Sequence, residues 1–217
     1  MIAFAHVITA IVWLLADSVH GHCVITYPGW RGNNLITNVS FPYGMQRSYP
    51  CGGLDVTQNR TAWPITGGAV ALQPGWFAGH ATALMYLNIW LGLDPDNYAT
   101  LWPMFEILGP SDNPYPGTIC LPQISLPNGL TPSSGDFATI QVVQTLKSGA
   151  SLFSCADIVF TDDLSQVPSV NETNCFNSTS IKVESVQICW WIIDYRKWDK
   201  WESESIPAVY DDDDNNN

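Results

Sequence analysis

Three side chains and one backbone nitrogen in this sequence have the chemistry to hold a metal together. Two of the four histidines, His6 and His20, lie in a leading segment that the chain is expected to lose, which leaves His22 and His80. A histidine at the first position of a chain carries its free α-amine and its imidazole on one residue, so both can chelate. A second imidazole from His80 would complete three nitrogens in a T. Nitrogen-rich, near-planar sites with imidazole suit Cu(II) best among the divalent metals. The α-amine has a pKa of about 7.7–8.0, so copper can displace its proton at neutral pH. Asp157 is the third candidate. A carboxylate inside the apolar run Cys155-Ala-Asp-Ile-Val-Phe needs a partner. A metal is one such partner; an ion pair with one of the few arginines, Arg31 being a candidate, is the other. His80 also reads as an ordinary hydrogen-bonded histidine at a strand start. Two histidines alone do not decide between these readings.

The chelate exists only if His22 is the first residue. Val7 to Ala16 is an apolar run too short to span a bilayer, and the polar stretch Asp17-Ser-Val-His-Gly21 follows it. A short apolar core followed by small residues at a cut site is the secretory signal pattern. Val19 and Gly21 suit positions −3 and −1 of a cut before His22. One feature departs from the pattern, since no Lys or Arg precedes the apolar run. Export also fits four Asn-x-Ser/Thr sequons, at Asn38, Asn59, Asn171 and Asn177. Six cysteines all follow the proposed cut: Cys23, Cys51, Cys120, Cys155, Cys175 and Cys189. An even count in an exported chain reads as disulfides, and the absence of any Cys-x-x-Cys pair disfavours a zinc ribbon or a thioredoxin motif.

The elements that would position such a site are strands. Pro and Gly are frequent and charged residues sparse, at 13%, while aromatics reach 12%; this is the composition of a loop-rich β domain. Strands are expected over Gln141–Leu146, Ser151–Phe160 and Ile181–Ile193. In Ala81–Leu91 the residues Ala83, Met85, Leu87, Ile89 and Leu91 are apolar at a period of two, which favours a half-buried strand over a helix. Pro74-Gly75 before it, and Gly92 with Asp94-Pro95 after it, supply turn signals. Short strands between Pro-, Gly- and Asn-rich loops imply a β-sandwich. The domain is expected over residues 22–193, after a signal peptide at 1–21 and before an acidic, disordered tail at 194–217 that ends in DDDDNNN. A net charge of −12 disfavours nucleic acid and anionic membrane as partners.

The motifs around the histidines resemble a known family. His22-Cys-Val-Ile-Thr-Tyr27-Pro28-Gly-Trp-Arg31-Gly32 resembles the mature start of the copper acquisition factors, which are related in fold to the lytic polysaccharide monooxygenases. Pro50-Cys51-Gly52-Gly53 looks like that family's Cys-Gly-Gly. Gly67-Gly68 then leads to His80 and a strand ending at Gly92. Cys120-Leu121-Pro122 precedes Ala138-Thr-Ile-Gln-Val-Val143, and Cys155-Ala156-Asp157 precedes Cys175-x-Asn177. The likeness runs from His22 to about Thr179. No single motif is unique to the family; their order is what makes the match specific.

The resemblance implies an all-β, immunoglobulin-like or fibronectin-III-like sandwich stapled by disulfides and carrying one Cu(II) per chain. Its ligands would match His22, by amine and ring, then His80, then Asp157. It implies the pairs Cys51–Cys155 and Cys120–Cys175. Cys23 and Cys189 depart from the family pattern and would pair with each other. The function implied is copper acquisition or homeostasis by a secreted or cell-surface protein, with cell-wall polysaccharide or a surface copper transporter as further partners and no assigned reaction. The alternative is a copper-dependent lytic polysaccharide monooxygenase; a wall glycoprotein without metal is a third. An Asp157 ligand would separate the first two, because an anionic equatorial donor stabilises Cu(II) where oxygen would bind. Family members often end in a lipid-anchor signal, and no apolar stretch here provides one.

Overall fold

The structure is a computed structural model that describes residues 22–35, 46–74, 82–109, 118–145 and 149–186. Nine strands follow in chain order: β1 Val24–Tyr27, β2 Thr61–Pro64, β3 Gly68–Gln73, β4 Thr82–Leu91, β5 Ala99–Leu108, β6 Ile119–Ile124, β7 Phe137–Thr145, β8 Ser151–Thr161 and β9 Lys182–Ser185. They form two sheets. One is three-stranded with order β1-β3-β6; the other is six-stranded with order β2-β8-β7-β4-β5-β9. All pairs are antiparallel except β2 with β8. All nine described strands belong to one compact unit, which ends at Ser185. Among the described residues no helix is long and apolar enough to cross a membrane.

The period of two expected for the fourth strand holds. Ala83, Met85, Leu87 and Ile89 are buried, and only Leu91, at the strand end, reaches 36% exposure. These side chains meet Ile25, Tyr27, Val70 and Leu72 of the three-stranded sheet, with Ile140, Val142, Ala156, Ile158 and Phe160 beside them. Each fully buried aliphatic or aromatic side chain contributes about 1.5–3 kcal/mol, so this contact holds the sheets face to face. The expected immunoglobulin-like sandwich is what the chain forms.

The expected strands at 141–146 and 151–160 correspond to β7, which starts earlier, at Phe137, and is described as far as Thr145, and to β8, which starts at Ser151 as expected and runs one residue further, to Thr161. The expected strand at 181–193 is described only as β9, four exposed residues on the sheet edge. Its Lys182 and Glu184 suit an edge that must not recruit another strand; residues beyond 186 lie outside the described residues.

Two of the three expected disulfides are present. Cys51–Cys155 ties the segment before β2 to β8, and Cys120–Cys175 ties β6 to the segment before β9. The third expected pair, Cys23–Cys189, involves a residue outside the described residues: Cys23 is buried and carries no disulfide to a described cysteine, and Cys189 is not among the described residues. Cys23 sits in the core between the sheets, where a free cysteine acts as a small apolar side chain. Burial pushes its thiol up to about 12, with a backbone hydrogen bond opposing the shift, so no thiolate forms at neutral pH.

Candidate metal site at the amino-terminal end of the sandwich

The first described residue, His22, is 1% exposed. It precedes β1, whose Val24 pairs with Gln73 at the end of β3. From Gln73 the chain runs on to Thr82, the first residue of β4, and His80 lies on this connection. His80 itself falls outside the described residues. The beginning of β4 and the end of β7 share this end of the large sheet, with Leu84 opposite Thr145 and Met85 opposite Gln144.

The peptide after His22 is held from outside the sheet. The side-chain amide of Gln46, a residue sequence reasoning did not single out, accepts from the Cys23 N–H at 3.1 Å and donates to the Cys23 carbonyl at 2.6 Å. It also donates to Asn34 Oδ1 at 2.9 Å, and Asn34 Nδ2 reaches the carbonyls of Cys51 and Phe153. The Phe153 N–H closes the circuit on the Gln46 carbonyl at 2.6 Å. Gly52 makes this approach possible. Its φ is +65°, and a Cβ there would collide with Asn34 Nδ2 and the Phe153 carbonyl, which gives the Cys-Gly-Gly motif a structural cause. Gly67 has a comparable role, since a Cβ at its φ of +94° would strike the Ile124 carbonyl.

Asp157 takes the other of its two readings. Its carboxylate lies on the outward face of β8, and Arg31 binds it bidentately, Nη2 to Oδ1 at 2.7 Å and Nε to Oδ2 at 2.8 Å. Thr139 Oγ1 donates to Oδ1 at 2.9 Å, and the Thr57 N–H donates to Oδ2 at 3.1 Å. Arg60 lies 3.9 Å from Oδ1. Burial pushes this carboxyl up, but the Arg31 hydrogen bonds, the Thr57 N–H, the Arg31 charge and the Thr139 hydroxyl outweigh it and hold it below its ordinary value. As a metal ligand Asp157 does not fit, because both oxygens already accept hydrogen bonds from Arg31, Thr139 and Thr57. It is also four residues along β8 from Phe153, about 13 Å at strand rise, and Phe153 is the residue bonded to the Gln46 carbonyl. The expectation of an Asp157 ligand is corrected to a buried ion pair that closes the segment before β2 over the sheet.

The remaining donors fit copper. In the full chain the His22 nitrogen is a peptide nitrogen, and removal of residues 1–21 makes it a primary amine. Amine, imidazole and the His80 imidazole are the three nitrogens Cu(II) favours. Gln144, near the end of β7, has a buried Oε1 with no hydrogen-bond partner. Its register neighbours Ile140 and Val142 at even spacing lie in the core, so it occupies the inward face at this end. An unsatisfied buried acceptor there suits an imidazole N–H or a metal-bound water. Among the described residues no three His, Cys, Asp or Glu side chains converge on one point. Three sequon asparagines, Asn59, Asn171 and Asn177, are exposed; Asn38 lies outside the described residues.

Comparison with known proteins agrees with the copper resemblance. The family model described as Copper acquisition factor BIM1-like matches residues 20–180. The chain is 56% identical over 172 residues to Lytic polysaccharide monooxygenase-like protein X325 of Hypocrea jecorina, covering 76% of this chain and 74% of that protein. It is 57% identical over 169 residues to Lytic polysaccharide monooxygenase-like protein ham-7 of Neurospora crassa, covering 74% and 73%. Among solved structures, Bacillus amyloliquefaciens CBM33 in complex with Cu(I) after photoreduction is similar with a TM-score of 0.33 and 14% identity, over 67% of this chain and 80% of that one.

Proposed function

This chain belongs to the family of BIM1-like copper acquisition factors, and from that premise we propose that it binds one Cu(II) through a histidine brace of His22 and His80 and works in copper acquisition outside the cell or at its surface. The observation that carries the reading is the held amino-terminal end: His22 is buried, and the peptide after it is fixed by Gln46. Chain termini are poorly ordered unless tied down, and a residue that is to become a terminal chelate needs such a tie. When bound, the copper supplies a redox-active cation; the chain supplies an amine, two imidazoles and a rigid support. Copper comes to this reading from the description of the matched family, and the relatives' names state a likeness to monooxygenases. Surface copper transporters and cell-wall polysaccharide are the partners that fit an acidic, glycosylated, exported domain. The exposed Asn59, Asn171 and Asn177 are open to glycan attachment.

The reading requires processing at one bond. Amino-terminal sequencing of the secreted protein is expected to begin at His22. A start at any other residue would remove the amine from the ligand set and end the brace reading.

A further inference from the structure

We propose that Gln46 is the residue that aims the amino-terminal chelate. The inference rests on the copper reading above and deepens it by assigning a positioning residue. A chelate from the α-amine and the ring of one histidine closes through Cα and Cβ of that residue. It is anchored to the protein through the peptide plane that joins His22 to Cys23, because His22 Cα lies in that plane. That plane contains the Cys23 N–H, and Gln46 Oε1 accepts from it at 3.1 Å. Gln46 Nε2 takes the Cys23 carbonyl at 2.6 Å, so one side-chain amide holds both polar groups of a single residue. It does for residue 23 what a neighbouring strand does for the residues that follow.

The clamp is built rather than incidental. Gln46 is fully buried and has a φ of 59°, a left-handed conformation disfavoured for any residue with a Cβ. Conformations of that kind persist only where the surroundings over-determine them, and they gather at functional sites. The surroundings here are Asn34, which accepts from Nε2 at 2.9 Å, and Phe153, whose N–H donates to the Gln46 carbonyl. Asn34 is in turn anchored on the carbonyls of Cys51 and Phe153, at the Cys51–Cys155 bridge. The terminal peptide is thereby referenced to β8 of the large sheet, while β1 itself pairs within the small one.

Two variants separate aiming from mere support. Gln46→Gly relaxes the backbone and deletes the clamp; Gln46→Met keeps the side-chain volume without the amide. Each is compared with wild type as mature protein beginning at His22, by Cu(II) titration and by electron paramagnetic resonance, at a temperature where circular dichroism shows all to be folded. Loss of an outer-shell partner costs metal sites about 10–100-fold in affinity, and a loss of that order is expected for both variants. The bound Cu(II) signal is expected to split into more than one species. Trp63→Phe, which removes the buried indole donor to the Ala69 carbonyl far from this end, is the control: its melting temperature falls while its copper spectrum stays that of wild type. Gln46 variants with wild-type affinity and a single wild-type spectrum overturn the inference and leave the copper reading standing. A wild type that takes up no stoichiometric copper overturns both.

Discussion

Replacing Arg31 by Met is expected to be among the most destabilising single changes in the sandwich, costing about 3–5 kcal/mol, because removal of one partner of a buried pair leaves the other charge uncompensated. For a domain of this size that corresponds to a fall in melting temperature of about 6–20 °C. Arg31 supplies a bidentate contact to Asp157, donates through Nη1 to the Leu54 carbonyl and offers its own N–H to the Cys155 carbonyl. Its loss also removes the hydrogen bond from Nη2 to Thr139 Oγ1. The pH dependence has a definite sign. In the wild type the Asp157 carboxyl is held below its ordinary value, so its contribution is fully present above the ordinary carboxylate range and is lost as pH falls through the depressed value. In the Arg31 variant burial acts without its main opponent, and the variant recovers part of its deficit in acid as Asp157 takes up a proton. Calorimetry at neutral and acidic pH checks this: the gap between wild type and variant narrows on acidification. A gap that is constant or widens would contradict the ion-pair account. Asp157→Asn provides the complementary result, destabilising the fold while the folded variant keeps wild-type copper affinity.

His80→Ala is expected to abolish tight Cu(II) binding, weakening it by at least the 100-fold or so that even outer-shell losses can cost, with the metal-free melting temperature close to wild type. The scaffold rests on contacts among the described residues, which do not include residue 80. The two disulfides and the contact between the sheets hold it. The check is a thermal scan with and without copper. Wild type gains about 2.7 kcal/mol of apparent stability when copper is present at 100 times its dissociation constant, and the variant gains at most about 0.4 kcal/mol at the same concentration. Equal stabilisation of both would remove His80 from the ligand set.

Much of the scaffold is legible from residues alone, and the reasons are local. β4 announces itself because Ala83, Met85, Leu87 and Ile89 alternate with outward residues, and only a strand satisfies that period. β7 carries the β-branched pairs Thr139-Ile140 and Val142-Val143, and β8 carries Leu152-Phe153 and Ile158-Val159-Phe160. β2, β3, β5 and β6 carry weaker signals. Gly68–Gln73 is small-residued and buried along almost its whole length, so it shows no alternation. Thr61–Pro64 and Ala99–Leu108 contain prolines that argue against a strand unless it lies at an edge or a bulge. Thr61–Pro64 is indeed an edge strand, and β4 pairs with β5 through shifts in register. The carboxylate in Cys155-Ala-Asp157 was legible as a group needing a partner, but sequence could not choose between a metal and Arg31, because the choice depends on Trp30 and Arg31 lying along β8. Gln46 was invisible: nothing local marks a glutamine whose task is to hold the backbone of a residue 23 positions away.

The central claim is that the amine of His22 becomes a copper ligand once the chain begins there. Its most direct test is Cu(II) titration of the mature protein with a native His22 terminus against the same protein with that α-amine acetylated, which removes the amine as a ligand and leaves both imidazoles. The account predicts one tightly bound Cu(II) per native chain and a loss of about 100-fold or more on acetylation, on the scale by which lost metal-site partners are measured. Equal affinity and stoichiometry for the two proteins would contradict it.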